Sequence, residues 1–198
     1  RVAVLGCEDG WIKLIYHRQY GYIDSNLLND PIPVYFHPEN AGTDAPIASY
    51  TSFYKITTDE TNIGRMKNIA VACEKLCALD LPSGFIMDFN RDIGPYRQSN
   101  GYFPAPVLTD GKTKLGYGGG TCQVSSTLYN VLLQLPGITV LQRRAHGNNG
   151  ASYLPIGVDA AVGNSTLNLR FRNDFPYPIR IDASAQDGAL TIAIYRAP

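Results

Sequence analysis

The sequence has little of several features that narrow a function quickly. Its four cysteines in 198 residues are too few and too scattered for the disulfide scaffold of a small secreted domain. It has no run of about 18 apolar residues, so we expect no membrane span in this stretch of chain. Lys plus Arg and Asp plus Glu both number 17, and this balance gives no electrostatic case for nucleic acid or an anionic membrane as a partner.

Signatures of metal and cofactor chemistry are also missing. The glycines at 118–120 are not followed by the Gly-Lys-Ser/Thr of a phosphate-binding loop, and they do not fit the dinucleotide-binding pattern. Cys73 and Cys77 have the spacing of a metal pair, but no histidine or further cysteine lies close in sequence to complete a site. The helical pattern around them predicts instead that both thiols face the core. We therefore expect neither a metal nor a cofactor.

The sequence is rich in turn-forming and aromatic residues, with 19 glycines, 13 prolines and 13 tyrosines. Such a composition is typical of many strands and loops around few helices. Helical periodicity occurs over roughly 63–78, after a cap at Thr61 or Asn62, and again from Thr121. Alternating segments predict strands at 50–56, 86–90, 138–141, 165–172, 179–182 and 190–195. We predict an α+β fold in which mainly antiparallel strands pack with two principal helices.

The order of these patterns predicts three regions. Residues 1–29 have the pattern of short strands and form a small all-β piece, in which Trp11 and Tyr22 are predicted core residues. Residues 30–48 are rich in proline and form the best linker candidate. Residues 49–198 then form the main domain.

The stretch 117–130 is the strongest candidate for chemistry. Its three glycines allow a sharp turn, and Thr121 is a predicted N-cap for the helix that follows. Cys122 then stands at the helix start, where the partial positive charge favours the nucleophilic thiolate. The helical phase places Cys122 outside the apolar stripe, on the side of Ser126 and Tyr129. The alternative is an inert, buried thiol.

A nucleophilic cysteine needs a base, and His146 is the best candidate among the three histidines because it precedes a loop of glycine and asparagine at 147–150. Asp159 or Ser152 can orient its imidazole, and the sequence leaves that choice open. Arg144 is a candidate for holding a substrate carboxylate, whereas its neighbour Arg143 is interpreted as a basic strand end in water. Three tyrosines are candidates for the cleft wall: Tyr117, Tyr129 and Tyr153.

These residues resemble the VanW family over about residues 49–185. The similarity lies in five segments in the expected order, at 65–76, 85–112, 118–130, 153–162 and 169–181, of which "GGGTCQVSSTLYN" is the most diagnostic. The resemblance implies that Cys122 and Gln123 lie at the centre of a site, with backbone N–H groups from Gly119 and Gly120 to Cys122 available for an oxyanion. It also implies supporting roles for four residues: Arg65, Asn68, Asn90 and Gly101.

The resemblance further implies what the protein does. Some members look like cysteine L,D-transpeptidases, so we expect peptidoglycan stem peptides as partners, 3-3 cross-links as products and an extracellular location at the cell wall. Two alternatives stay open: a cysteine endopeptidase, amidase or carboxypeptidase of peptidoglycan, and a non-catalytic module that binds cell wall or glycopeptide. Residues 1–29 resemble half of a bacterial SH3-like domain, a module that often accompanies such hydrolases. The sequence does not indicate an oligomeric state.

Overall fold

A computed structural model describes residues 1–109, 112–147 and 150–198. The predicted turn at Asp110–Gly111 and the loop residues Asn148 and Asn149 lie outside them. The helices are α1 (Glu60–Cys77), α2 (Phe89–Asp92) and α3 (Thr121–Leu132). The strands are β1 (Gly6–Glu8), β2 (Trp11–Tyr16), β3 (Gln19–Asp24), β4 (Pro46–Phe53), β5 (Ile86–Asp88), β6 (Pro104–Thr109), β7 (Lys112–Tyr117), β8 (Ile138–Gln142), β9 (Arg170–Asn173), β10 (Ile179–Gln186) and β11 (Ala189–Arg196).

The core lies between the two long helices and an antiparallel sheet in the order β10-β11-β4. Apolar residues alternate along β11, so that Leu190, Ile192 and Ile194 are fully buried and share one cluster with the α3 residues Val124 and Leu128. The two strands β10 and β11 form the predicted hairpin. This arrangement confirms the predicted α+β fold.

Helix α1 starts earlier than its sequence pattern predicts. It runs from Glu60 to Cys77, so Asn62 lies within the first turn rather than at the cap, and the side chain of Thr61 is outside the description. The prediction that both α1 thiols face the core is right for Cys73 and wrong for Cys77, which is exposed. Cys77 is the last residue of the helix and lies beyond its packed face, where its sulfur accepts a hydrogen bond from β10.

The first three strands form a separate small sheet in the order β1-β2-β3. Ile12 and Leu14 of β2 point inward, so the residues that alternate with them point outward. The prediction of a core position is therefore wrong for Trp11 and Tyr22, which are 51% and 59% exposed. β4 begins at Pro46, inside the predicted linker, while the division into three regions and the SH3-like resemblance stay predictions.

The remaining strands frame the site. A sheet in the order β5-β9-β8 and a hairpin of β6 and β7 flank α1 and α3. The predicted strand at 86–90 ends at Asp88, whose side chain accepts a hydrogen bond from the Arg91 N–H and caps α2. The predicted strand at 165–172 begins only at Arg170, as β9. Over the described residues, every helix is too short or too polar to cross a membrane.

Candidate active site

The site is built around the turn that leads from β7 into α3. Gly120, with φ of +110°, is the N-cap of α3, and a Cβ there would lie 2.9 Å from the Arg65 carbonyl oxygen. The prediction that Thr121 is the N-cap is therefore wrong by one residue, and Thr121 is the first helical residue. Its hydroxyl donates to the Gly118 carbonyl at 2.8 Å instead of capping the helix. A Cβ at Gly119 would lie 2.5 Å from the Pro106 carbonyl oxygen. The turn consequently packs directly against α1 and β6.

Cys122 is the second residue of α3 and is half-buried. Its Sγ lies 3.4 Å from both the N–H and the carbonyl oxygen of Val162, so the thiol is held against the segment 158–162. The Cys122 N–H has no acceptor among the residues that the structure describes, as expected in the first turn of a helix. A reactive carbonyl at the sulfur would therefore find a free N–H donor and the positive end of α3.

His146 and Asp159 complete an acid–base pair beside this thiol. The buried Asp159 carboxylate accepts hydrogen bonds at Oδ2 from the His146 backbone N–H at 2.8 Å and from the imidazole Nδ1 at 2.5 Å. A hydrogen bond with the Cys122 side chain and the charges of Cys122 and Asp159 raise the pKa of His146 from 6.5 to about 9. Burial would raise the pKa of Asp159, but the His146 contacts hold it below its ordinary value.

A seam of buried polar side chains fixes the distance between α3 and the segment that carries Asp159. Ser125 Oγ donates to the Ala160 carbonyl at 2.6 Å, and Ser126 Oγ accepts from the Ala160 N–H at 2.9 Å. One turn later, Asn130 Nδ2 donates to the Val158 carbonyl at 2.8 Å. Since these residues lie on the face of α3 that also carries Cys122, the seam sets the thiol and Asp159 on the same side of the site.

Arg143 closes the far side of Asp159. Its Nε donates to the Asp159 backbone carbonyl at 2.6 Å, and Nη2 lies 3.6 Å from Asp159 Oδ1. The guanidinium also lies 5.0 Å from the ring centroid of Tyr129. Because its side chain is only 22% exposed, the interpretation of Arg143 as a strand end in water is wrong. The sequence holds no signal that separates Arg143 from Arg144 in this role.

Tyr153 lies beside the thiol. Burial raises the pKa of its phenol, as does the charge of Cys122, while a hydrogen bond with Ser126 and the charge of Arg65 oppose that shift. The loop that carries it is held from the small N-terminal sheet, because Arg18 donates to the carbonyls of Ala151 and Leu154, each at 3.2 Å. Sequence reasoning gave no role to Arg18, whose contact joins positions more than 130 residues apart.

Other predicted site residues lie outside this cluster. Ser152 is exposed and makes no hydrogen bond with His146 among the described residues, so Asp159 alone orients the imidazole. Tyr117 is 39% exposed and donates to Gln98 at 3.2 Å. Arg144 is exposed, and its carbonyl accepts from the Ala161 N–H. Substrate contacts for Tyr117 and Arg144 stay predictions.

Gln123 lies inside the protein rather than at the cleft surface. Its carboxamide is buried, donates to Ser52 and to the Phe53 carbonyl, each at 3.1 Å, and accepts from Arg65 at 2.9 Å. All of these partners belong to β4 and α1, so Gln123 ties both elements to α3.

Asparagines implied by the resemblance support the surrounding turns. Asn68 donates to the carbonyls of Gly119 and Phe103, each at 3.0 Å, and so fixes the glycine turn. Asn90 accepts from the Gly163 N–H at 3.0 Å and from the Tyr96 hydroxyl at 2.9 Å. These contacts hold the ends of α3 and of the segment 158–162 without touching the thiol.

Comparison with known proteins gives one family over more than half of the chain. The profile of the family described as "VanW like protein" matches residues 64–195. The chain is 30% identical over 149 residues to "Uncharacterized protein YoaR" of Bacillus subtilis (strain 168), covering 75% of this chain and 47% of that protein. It is 26% identical over 137 residues to "Vancomycin B-type resistance protein VanW" of Enterococcus faecalis (strain ATCC 700802 / V583), covering 67% and 48%. The chain spans about half the length of these curated relatives, and no solved structure matches it.

Proposed function

The chain belongs to the VanW-like protein family, and from that premise we propose that it is a peptidoglycan L,D-transpeptidase that forms 3-3 cross-links through a thioester on Cys122. The observation that carries the proposal is that Cys122, at the N-terminus of α3, interacts with His146, whose imidazole is held by Asp159. A nucleophile, a base and a group that orients the base are the parts that acyl transfer through an enzyme thioester requires.

In the first step, Cys122 Sγ attacks the carbonyl carbon of the third residue of a tetrapeptide stem. A carbon–sulfur bond forms, the carbon–nitrogen bond to the fourth residue breaks, and His146 gives the departing amine its proton. The Cys122 N–H stabilises the oxyanion of the tetrahedral intermediate. The products of this step are a thioester on Cys122 and a free D-amino acid.

In the second step, an amine of a neighbouring stem peptide attacks the thioester carbonyl. His146, now neutral, accepts the proton of that amine, the carbon–sulfur bond breaks, and a new amide joins the two stems. The proton balance is closed, and the reaction consumes no oxidant or reductant. The buried Asp159 holds Nδ1 throughout, so the other ring nitrogen is the one that serves the sulfur and the amines.

The charge state of His146 suits the first step. With a pKa of about 9, the imidazole is protonated at neutral pH and is ready to act as the acid for the leaving amine. In this step the sulfur attacks as the thiolate, the reactive form of cysteine, and the leaving amine takes the proton that His146 holds.

Two further features belong to the proposal. We assign the protein to the outside of the cell, at the wall, with peptidoglycan stem peptides as its partners. The relative named as a vancomycin B-type resistance protein supports a cell-wall context.

The test is product analysis with purified protein and a disaccharide-tetrapeptide. A transpeptidase releases D-alanine and forms a cross-linked dimer, and the Cys122→Ala variant forms none. Since the His146 side chain is 23% exposed, water can reach the site, and release of D-alanine without dimer would assign a carboxypeptidase instead. Cleavage at another stem bond would assign an endopeptidase or amidase, and binding without any cleavage would assign a non-catalytic wall-binding module.

A further inference from the structure

Arg65 is a half-buried cation beside the turn that leads to Cys122. Its backbone and Cγ pack against the N-cap Gly120, whose Cβ position lies 3.1 Å from that Cγ. Its Nη2 donates to Gln123 Oε1 at 2.9 Å. Since the Gln123 carboxamide is itself held by Ser52 and Phe53, the guanidinium is anchored on one edge and oriented before any substrate binds.

The charge of Arg65 is not neutralised by the protein. Arg143, by contrast, lies against Asp159 and donates to two backbone carbonyls. Arg65 has no carboxylate partner within salt-bridge distance among residues 1–109, 112–147 and 150–198. One of its five N–H donors is committed to Gln123, which leaves the others for a ligand.

Arg65 contacts residues before and after the reacting cysteine, because its Cγ packs against Gly120 and its Nη2 donates to Gln123. The phenol of Tyr153 interacts with the charges of Cys122, Arg65 and Asp159 and hydrogen-bonds with Ser126. The phenol therefore lies within electrostatic range of the thiol, the guanidinium and the Asp159 carboxylate. A substrate whose carbonyl reaches the sulfur therefore approaches the same turn that Arg65 packs against.

We propose that Arg65 binds the free terminal carboxylate of the acyl donor and thereby selects donors that end in a carboxylate next to the scissile bond. The inference rests on the proposed function and deepens it by naming the donor class. An oriented guanidinium matches a carboxylate through two parallel N–H···O bonds. Arg65 thus takes the role of binding a substrate carboxylate, for which the sequence made Arg144 the candidate.

The experiment compares two donors that differ at one atom, a disaccharide-tetrapeptide with a free terminal carboxylate and the same compound with a terminal carboxamide. The readout is kcat/KM for release of the terminal residue. Hydrogen bonds to charged groups predict that the wild-type protein favours the carboxylate donor by roughly tenfold to a hundredfold. Arg65→Met should turn over both donors at similar rates, and Arg65→Lys should retain part of the preference.

The matched control is Lys67→Met, which removes one positive charge from an exposed position of the same helix and should keep the full preference. Equal wild-type rates with the two donors would overturn the role of Arg65, and so would an equal loss with both donors in Arg65→Met that leaves their ratio unchanged. If the wild-type protein turns over neither donor, the proposed function fails and this inference fails with it. Equal turnover of both donors by the wild-type protein would instead reject the role of Arg65 and leave the proposed function standing.

Discussion

Two cysteines of this protein make the same pair of hydrogen bonds with a neighbouring backbone and differ in the side chains around them. Cys77 donates to the Ala183 carbonyl at 3.4 Å and accepts from its N–H at 3.1 Å. Cys122 exchanges the same pair of hydrogen bonds with Val162, both at 3.4 Å. The contact with a neighbouring backbone is therefore common to both thiols and does not make either one a nucleophile.

The ends of the helices and the neighbouring side chains separate the two thiols. Cys77 is the last residue of α1, where the helix dipole is negative, and Cys122 is the second residue of α3, where it is positive. The cation near Cys77 is Arg1, which pairs with Asp182 and has no proton to exchange at neutral pH. Cys122 instead has His146, whose proton can move.

The third helical cysteine shows the opposite extreme. Burial raises the pKa of Cys73 to about 12, so its thiol stays protonated under all ordinary conditions. Under the proposed mechanism, the difference among the three thiols is the pairing of Cys122 with His146 and Asp159, and neither exposure nor backbone contact alone separates them.

Removing each thiol gives the largest expected contrast. Cys122→Ala deletes the nucleophile and should lower kcat for the transfer of the stem peptide by about 10³-fold or more. Cys77→Ala removes a thiol with the same backbone contacts and should change kcat by less than about twofold. Steady-state release of D-alanine measures both. Comparable losses in the two variants would show that the Cys122 effect is structural.

Neutralising the carboxylate near each of the two cysteines gives the next contrast. Asp159→Asn keeps the shape of the group but no longer stabilises protonated His146, so kcat should fall by roughly 10²- to 10⁴-fold. Asp182→Asn breaks the ion pair with Arg1 beside Cys77 and should have little effect on kcat. Circular dichroism spectra confirm that both variants are folded. A fully active Asp159→Asn variant would remove Asp159 from the mechanism.

The pKa of His146 reports the pairing directly. In the wild-type protein the imidazole should lose its proton with a midpoint of about 9. Because Cys122 is the largest cause that raises this pKa, Cys122→Ala should move the midpoint down toward 6.5, so that at pH 8 the ring is mostly neutral. NMR titration of the imidazole measures both midpoints, with Cys77→Ala as the control that should stay at the wild-type value. An unchanged midpoint in Cys122→Ala would place the thiol too far from the ring.

The smallest expected effect concerns the seam between α3 and the segment 158–162. Ser126→Ala leaves the buried Ala160 N–H without its acceptor and should lower the free energy of unfolding by about 1–3 kcal/mol. Ser184→Ala, next to the residue that pairs with Cys77, removes a half-buried hydroxyl and should cost less than about 0.5 kcal/mol. Denaturant unfolding measures both. A loss of unfolding free energy in Ser184→Ala as large as that in Ser126→Ala would contradict a special stabilising role for the hydrogen bonds beside Cys122.

The sequence predicted the parts of the site that depend on local pattern. The phase of α3 placed Cys122 on the face of Ser126 and Tyr129, and in the structure that face lies against the segment 158–162. The resemblance to the VanW family is confirmed, because the family profile matches residues 64–195. Periodicity also gave the core stripe through Val124 and Leu128.

The parts that depend on contacts between distant segments were not predictable. The choice between Asp159 and Ser152 required the path of the loop at 150–157, which Arg18 holds from the other end of the chain. The cap at Gly120 was missed by one residue because the Thr121 hydroxyl bonds back to Gly118. The burial of Gln123 depends on β4, about 70 positions earlier.

The central claim is that Cys122 carries the acyl group of the donor as a thioester. The most direct test mixes the protein with a disaccharide-tetrapeptide whose stem amines are acetylated, so that it serves only as a donor, quenches with acid and measures the intact mass. The account predicts a mass increase equal to the mass of the donor minus that of the released D-alanine, mapped by peptide digestion to Cys122 and absent in Cys122→Ala. An adduct on Cys77 or Cys7, or turnover of the donor by Cys122→Ala, would contradict it.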